Sequence, residues 1–183
     1  MSDYFPFFDD DTLGSHVTAD QSDTCQLLPL ALRDFPNVSH CARRANAKFI
    51  GAAGEYLVDS LLTRHGLTVW TAPDLDIADR LLNFGDRSVL LQIKTVTAPR
   101  DGRCTFQCTH GNHRAGGVSA YDQKDFHIAA LVVLSHNVVK FVPNRGRSFS
   151  VFVSEFEDLA ADPLGSLERS LADIKHIRRF PQC

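Results

Sequence analysis

The sequence predicts an α/β (α+β) fold with one mixed central β-sheet flanked by helices. Three observations support it. The longest helical pattern, at 41–65, precedes a group of short strand patterns between 67 and 153, and an amphipathic helical pattern at 166–179 follows them. The near-continuous apolar run HIAALVVL (127–134) has the character of a strand buried on both faces. The 183 residues are 44% hydrophobic with 13 Phe, enough apolar surface for a core and too much for wholesale disorder.

Residues 1–24 mix aromatics with Asp, Ser, Thr and Gly without a sustained period and read as an arm. A short helix at 24–33, interrupted by Pro29, and a break at Phe35-Pro36-Asn37 follow. The helix at 41–65 is expected to bury Phe49, Ala53, Tyr56, Ser60 and Leu61, widened by Ile50 and Leu57, and to end at Gly66. Strands are expected at 67–71, near Ile77, and at 88–95 after an Asn83-Phe84-Gly85-Asp86 turn. Further strands are expected at 104–110, 127–134, 138–143 and 148–153, with Ser135-His136-Asn137 turning the 127–143 pair. Trp70 is expected in the core. The domain reading is an acidic, partly flexible arm (1–40), a core (41–145), and a strand and helix extension packed on that core (146–183).

The net charge of −3 conceals an asymmetry. Residues 1–40 hold seven acids and one base, whereas 41–183 hold 18 bases and 15 acids, a net of +3. The acidic arm is thus able to cover a mildly basic body until a polyanion displaces it. No apolar run reaches the ~18 residues of a membrane span. The N-terminus lacks a signal-peptide pattern, and five Cys, an odd count, do not read as a disulfide framework, so a cytoplasmic location is expected.

One strand carries unexpected polarity. Alternation over 88–95 puts Val89, Leu91 and Ile93 on one face and Leu90, Gln92 and Lys94 on the other. A wet edge strand would account for the lysine; a partner or a task would account for it equally. Upstream, Asp74, Asp76 and Asp79 surround the expected short strand near Ile77. Glu55 follows Gly54 on the long helix, where small neighbours permit close packing and leave the acid at a cleft.

The series GAAGEYLVDSLL, APDLDIA and VLLQIKT resembles the PD-(D/E)xK nuclease superfamily. More narrowly, it resembles the branch of archaeal-type Holliday-junction resolvases and group I intron-encoded endonucleases with a Gln-x-Lys variant. YDQKDFHIAALVVL…VVKFVP extends the likeness, which covers roughly 45–145. The resemblance implies a restriction-endonuclease-like core and phosphodiester cleavage in duplex or branched DNA with Mg²⁺ or Mn²⁺. By that resemblance Asp76 matches the metal-binding Asp, Gln92 the usual Asp or Glu, Lys94 the catalytic Lys and Glu55 the helix Glu. The Ile93 carbonyl matches a further metal ligand, which makes Glu55, Asp76, Gln92 and Ile93 the expected metal set. Asp74 rivals Asp76, which is preferred because Ile77-Ala78 continues it as a strand. Gln92 departs from the pattern, because an amide offers one carbonyl oxygen and no charge. Tyr121 and Asp125 match positions of substrate-side or structural character.

Arg43, Arg44, Lys48, Arg100, Arg103 and Arg114 are the expected DNA-phosphate contacts. Cutting two strands with one site per subunit calls for a homodimer or homotetramer. The contrasting expectation is a non-catalytic DNA- or protein-binding module on the same fold. A third is a zinc-dependent regulator built on Cys104, Cys108, His110 and His113, though a strand there spreads these residues too far apart for one ion.

Overall fold

The computed structural model describes residues 32–72, 77–84, 87–112, 117–122 and 124–174. Residues 1–31 of the expected arm, Asp74, Asp76, Arg114 and the part of the expected C-terminal helix beyond 174 lie outside the described residues. The helical elements are α1 (His40–Ala45), α2 (Ala47–Arg64), α3 (Phe156–Ala161) and α4 (Gly165–Asp173). The strands are β1 (Val69–Thr71), β2 (Arg80–Phe84), β3 (Arg87–Val96), β4 (Arg103–Gln107), β5 (Thr109–Asn112), β6 (Gly117–Ala120), β7 (Ile128–Val133), β8 (Val138–Pro143) and β9 (Ser148–Phe152).

Five strands form a mixed sheet in the order β1-β2-β3-β7-β8. Only β3 and β7 run parallel; the other neighbours are antiparallel. β4 pairs with β9 and β5 with β6 as separate ribbons. All of β7 is buried, as its apolar run requires. Ile128, Ala130 and Val132 face one core with Val58, Leu61 and Leu62 of α2 and Leu167 of α4. Ala129, Leu131 and Val133 face a second core with Phe106 of β4, Val151 of β9 and Phe156 of α3. The sheet is therefore sandwiched between helices on one side and a ribbon plus a short helix on the other.

The strand bearing Gln92 and Lys94 is the middle strand of the sheet, so the edge-strand account fails. β2 pairs with it along 87–91 and β7 along 91–96. Gln92 is only 5% exposed.

Several local expectations change. The long helix divides at Asn46, whose backbone leaves helical values and whose Nδ2 donates to the Ala42 carbonyl at 2.9 Å. An Asn side chain that satisfies a helix-end carbonyl competes with continuation. Ser39 caps α1 by accepting from the Ala42 N–H. The buried residues of α2 are Gly54, Val58, Leu61 and Leu62; of the expected stripe Leu61 is among them and Leu57 packs beside them, while the rest of the stripe is displaced. Phe49 and Tyr56 are 66% and 71% exposed. Gly66 ends α2 as expected: at φ 77° it donates to the Thr63 carbonyl, while Leu67 donates to the Leu62 carbonyl. Ile77 precedes β2 instead of lying within a strand. Trp70, on the edge strand β1, is 57% exposed. The 104–110 strand is broken at Cys108, whose N–H turns to the Arg147 carbonyl.

Gly54 explains the shifted stripe. A Cβ built there would stand 1.9 Å from Thr95 Oγ1, so only glycine lets α2 press onto β3 at this point. Gly54→Val is expected to cost about 2–3 kcal/mol in a urea titration, as overpacking does. Adding Thr95→Gly should recover much of that loss; no recovery would place the cost elsewhere.

Candidate active site

The site is built where α2 meets the C-terminal half of β3. Packing through Gly54 carries the next residue, Glu55, to the rim of a cleft of about 690 Å³. Glu55, Asp79, Ile93, Lys94 and Thr97 line it, together with Arg43, Arg100 and Arg103. Acidic and cationic side chains thus share one concave surface.

Asp79 owes its place to hairpin register. Phe84 pairs with Arg87 and Arg80 with Leu91, so Asp79 falls opposite Gln92. Its N–H donates to the Leu91 carbonyl at 2.8 Å. Its Oδ2 accepts from the Ile93 N–H at 2.6 Å and from Gln92 Nε2 at 2.5 Å. Burial is the main cause that pushes the Asp79 carboxyl above its ordinary 3.8, and the nearby charge of Glu55 adds to it. The Ile93 N–H, Lys94 and Arg80 oppose that rise without cancelling it.

Glu55 is held by Arg80. The Arg80 side chain is buried, and its guanidinium donates to Glu55 Oε2 at 3.0 Å, Asp59 Oδ1 at 2.8 Å and Asp59 Oδ2 at 2.9 Å. It also donates to the Asp79 carbonyl at 2.9 Å. The hydrogen bond with Asp59 is the largest cause that raises the Arg80 pKa. Glu55 and Asp59, one turn apart on α2, are a like-charge pair that a single cation between them makes favourable.

Lys94 Nζ donates to the Tyr121 hydroxyl at 3.2 Å and stands 5.0 Å from the centre of that ring. Gln92 supports Asp79 from within the sheet, and its Oε1 is buried without a hydrogen-bond partner among the described residues. Of the expected set, the structure therefore brings Glu55, Gln92, Ile93 and Lys94 together; Asp76 lies outside the described residues, and Asp79 adds a carboxylate beside them. Arg43, Arg100 and Arg103 line the same cleft, whereas Arg44 and Lys48 are exposed on α1 and α2 outside its lining.

Asp79 and Arg80 are not in the set read from sequence, yet both have a signal there. Counting pairs outward from the Gly85-Asp86 turn puts residue 79 across from residue 92. The Glu55/Asp59 pair calls for a cation opposite, and Arg80 begins the adjoining strand.

The cysteine cluster behaves differently. Cys104 and Cys108 are buried with Phe106 in the second core. Burial pushes the Cys104 thiol up to about 11 and raises Cys108 as well. Without a bound metal, burial thus favours the thiol form of both. The side chains of His110 and His113 lie outside the described residues.

No family model matches the chain, and no curated protein matches it. Among solved structures, the bacterial homing endonuclease I-Ssp6803I matches with a TM-score of 0.49 at 18% sequence identity, over 57% of this chain and 76% of that one. No helix among the described residues is long and apolar enough to cross a membrane.

Proposed function

We propose that the chain is a metal-dependent endodeoxyribonuclease of PD-(D/E)xK type that hydrolyses phosphodiester bonds in duplex or branched DNA. The observation that carries this reading is the meeting of Asp79, Glu55 and Lys94 at one cleft that Arg43, Arg100 and Arg103 also line. The donors suit Mg²⁺ or Mn²⁺. Two carboxylates, the Ile93 carbonyl and the unpartnered Gln92 Oε1 are all oxygen, the ligand class such cations prefer. When bound, the cation supplies positive charge to the phosphate and to the attacking water.

The chain's own residues do the rest. Asp79 is held rigid by a backbone N–H and by Gln92, so it presents its free oxygen to the cleft in a fixed direction. Arg80 orients Glu55 and offsets part of its charge, so two acids tolerate one small space. Lys94 is placed to orient or deprotonate the water and to stabilise charge developing on the phosphate. Arg43, Arg100 and Arg103 hold neighbouring phosphates, with Arg44, Lys48 and Arg114 as outer contacts. Two-strand cleavage is assigned to a homodimer or homotetramer.

The test is incubation of purified protein with plasmid, branched and single-stranded DNA and Mg²⁺ or Mn²⁺, beside Lys94→Ala. Loss of a residue in general acid–base work lowers the rate by about 10²–10⁴-fold. Equal cleavage by both proteins would remove Lys94 from the chemistry. No cleavage of any substrate, with DNA still bound, would leave a binding module on this fold.

A further inference from the structure

We infer that Tyr121 is a positioning residue that holds the Lys94 ammonium in the cleft for DNA cleavage. This rests on the nuclease reading and deepens it.

Lysine ends in a flexible stem with several rotatable bonds, so its charge has no fixed place unless something fixes it. Tyr121 offers two contacts to the same ammonium. Its hydroxyl accepts from Nζ at 3.2 Å, and its ring centre lies 5.0 Å from Nζ, within cation–π distance. A hydroxyl alone fixes a distance; a hydroxyl with the ring behind it restricts direction as well.

Tyr121 is itself anchored. Its ring meets Phe126 edge to face, with centroids 5.3 Å apart and planes at 80°. Phe126 is fully buried in the second core. The segment between β6 and β7 is tied down on both sides of that contact. Asn144 Nδ2 donates to the Asp122 carbonyl at 2.9 Å and to the Phe126 carbonyl at 3.0 Å. Asp125 Oδ2 accepts from the Asp122 N–H at 2.7 Å. Asp125 thus closes the turn that carries Tyr121, which assigns it a structural part. The positioning runs from the buried core through Phe126 and Tyr121 to a charge at the cleft, the arrangement a precisely placed catalytic group needs.

Two replacements separate the contacts. Tyr121→Phe keeps the ring and removes the hydroxyl; Tyr121→Leu removes both. Misplacement of a reacting group lowers turnover and spares substrate binding, so kcat is expected to fall ~2–5-fold for Phe and ~10–100-fold for Leu. The Kd for the same DNA, measured in Ca²⁺, should stay within about twofold, since Lys94 orients chemistry more than it binds. Circular dichroism melts would verify that both variants fold.

A second readout needs neither metal nor activity. Reductive methylation with ¹³C-formaldehyde labels the lysines and keeps their charge. The Lys94 methyl signal, assigned with Lys94→Arg, should be displaced from the position of the exposed lysines by the Tyr121 ring, remain so in Tyr121→Phe, and move to the position of the exposed lysines in Tyr121→Leu. An active wild type with unchanged kcat in both variants would overturn the role of Tyr121. So would equal losses of kcat and DNA affinity. An inactive wild type that retains the ring shift would instead overturn the nuclease reading.

Discussion

Asp79→Asn is expected to abolish DNA cleavage while raising the melting temperature. Both hydrogen bonds of the Asp79 side chain end on Oδ2. An asparagine can set its carbonyl oxygen there and accept from the same two N–H groups, so the replacement removes charge and leaves the contacts. Folding gains, because burial and the nearby Glu55 charge make the ionised carboxylate unfavourable on balance. Catalysis loses, because the hard anionic donor is gone; a loss of several kcal/mol in transition-state stabilisation is about 10³-fold or more.

The pH dependence follows from the same cause. The folded-state pKa of Asp79 lies above its unfolded value of 3.8. Between the two values the folded protein binds more protons than the unfolded chain, so stability falls as pH rises through that window. The penalty is absent below 3.8 and complete above the folded-state pKa. Asp79→Asn should therefore flatten that part of the stability–pH profile, measured by urea titration across pH 3–7. A lower melting temperature with an unchanged profile would mean that the carboxylate serves the fold.

Arg80→Met is expected to produce a large loss of stability. It leaves Asp59 and Glu55 facing each other with no cation, and it removes a donor to the Asp79 carbonyl. Breaking a buried ion pair on one side costs about 3–5 kcal/mol. Here the carboxylate side chains are about a third exposed, and solvent screens part of their charge, so roughly 2–3 kcal/mol is expected. Arg80→Lys keeps a charge but lacks the planar fork that reaches both acids at once, so it should recover only part of the loss. The double variant Arg80→Met/Asp59→Leu should be more stable than Arg80→Met alone. Equal stability of the two would show that the acids do not depend on Arg80.

Glu55, Gln92 and Lys94 stood out in the sequence because an acid follows Gly54 on the long helix and two polar residues share one face of an otherwise apolar strand; Ile93, apolar and on the apolar face, was named only through the resemblance. The helical stripe of α2 was not legible. Phe49 and Tyr56 are the more hydrophobic choices, yet Gly54 faces the sheet, because close backbone approach outweighs side-chain size there. Trp70 misled for a related reason: edge strands have one face with nothing to cover it, and hydrophobicity does not reveal which strand is the edge.

By itself, the sequence determined the mixed α+β class, the two-sided burial of β7, the turn at 135–137, and the end of α2 at Gly66. These depend on interactions within a few residues, or on a periodicity that any neighbour satisfies. Tertiary structure alone decided that β3 lies in the middle of the sheet, that Asp79 and Arg80 join the cleft, and that Tyr121 meets Lys94. Each of those facts depends on strand order or register. Strand order and register are set by the total fit of side chains remote in sequence, which no local pattern records.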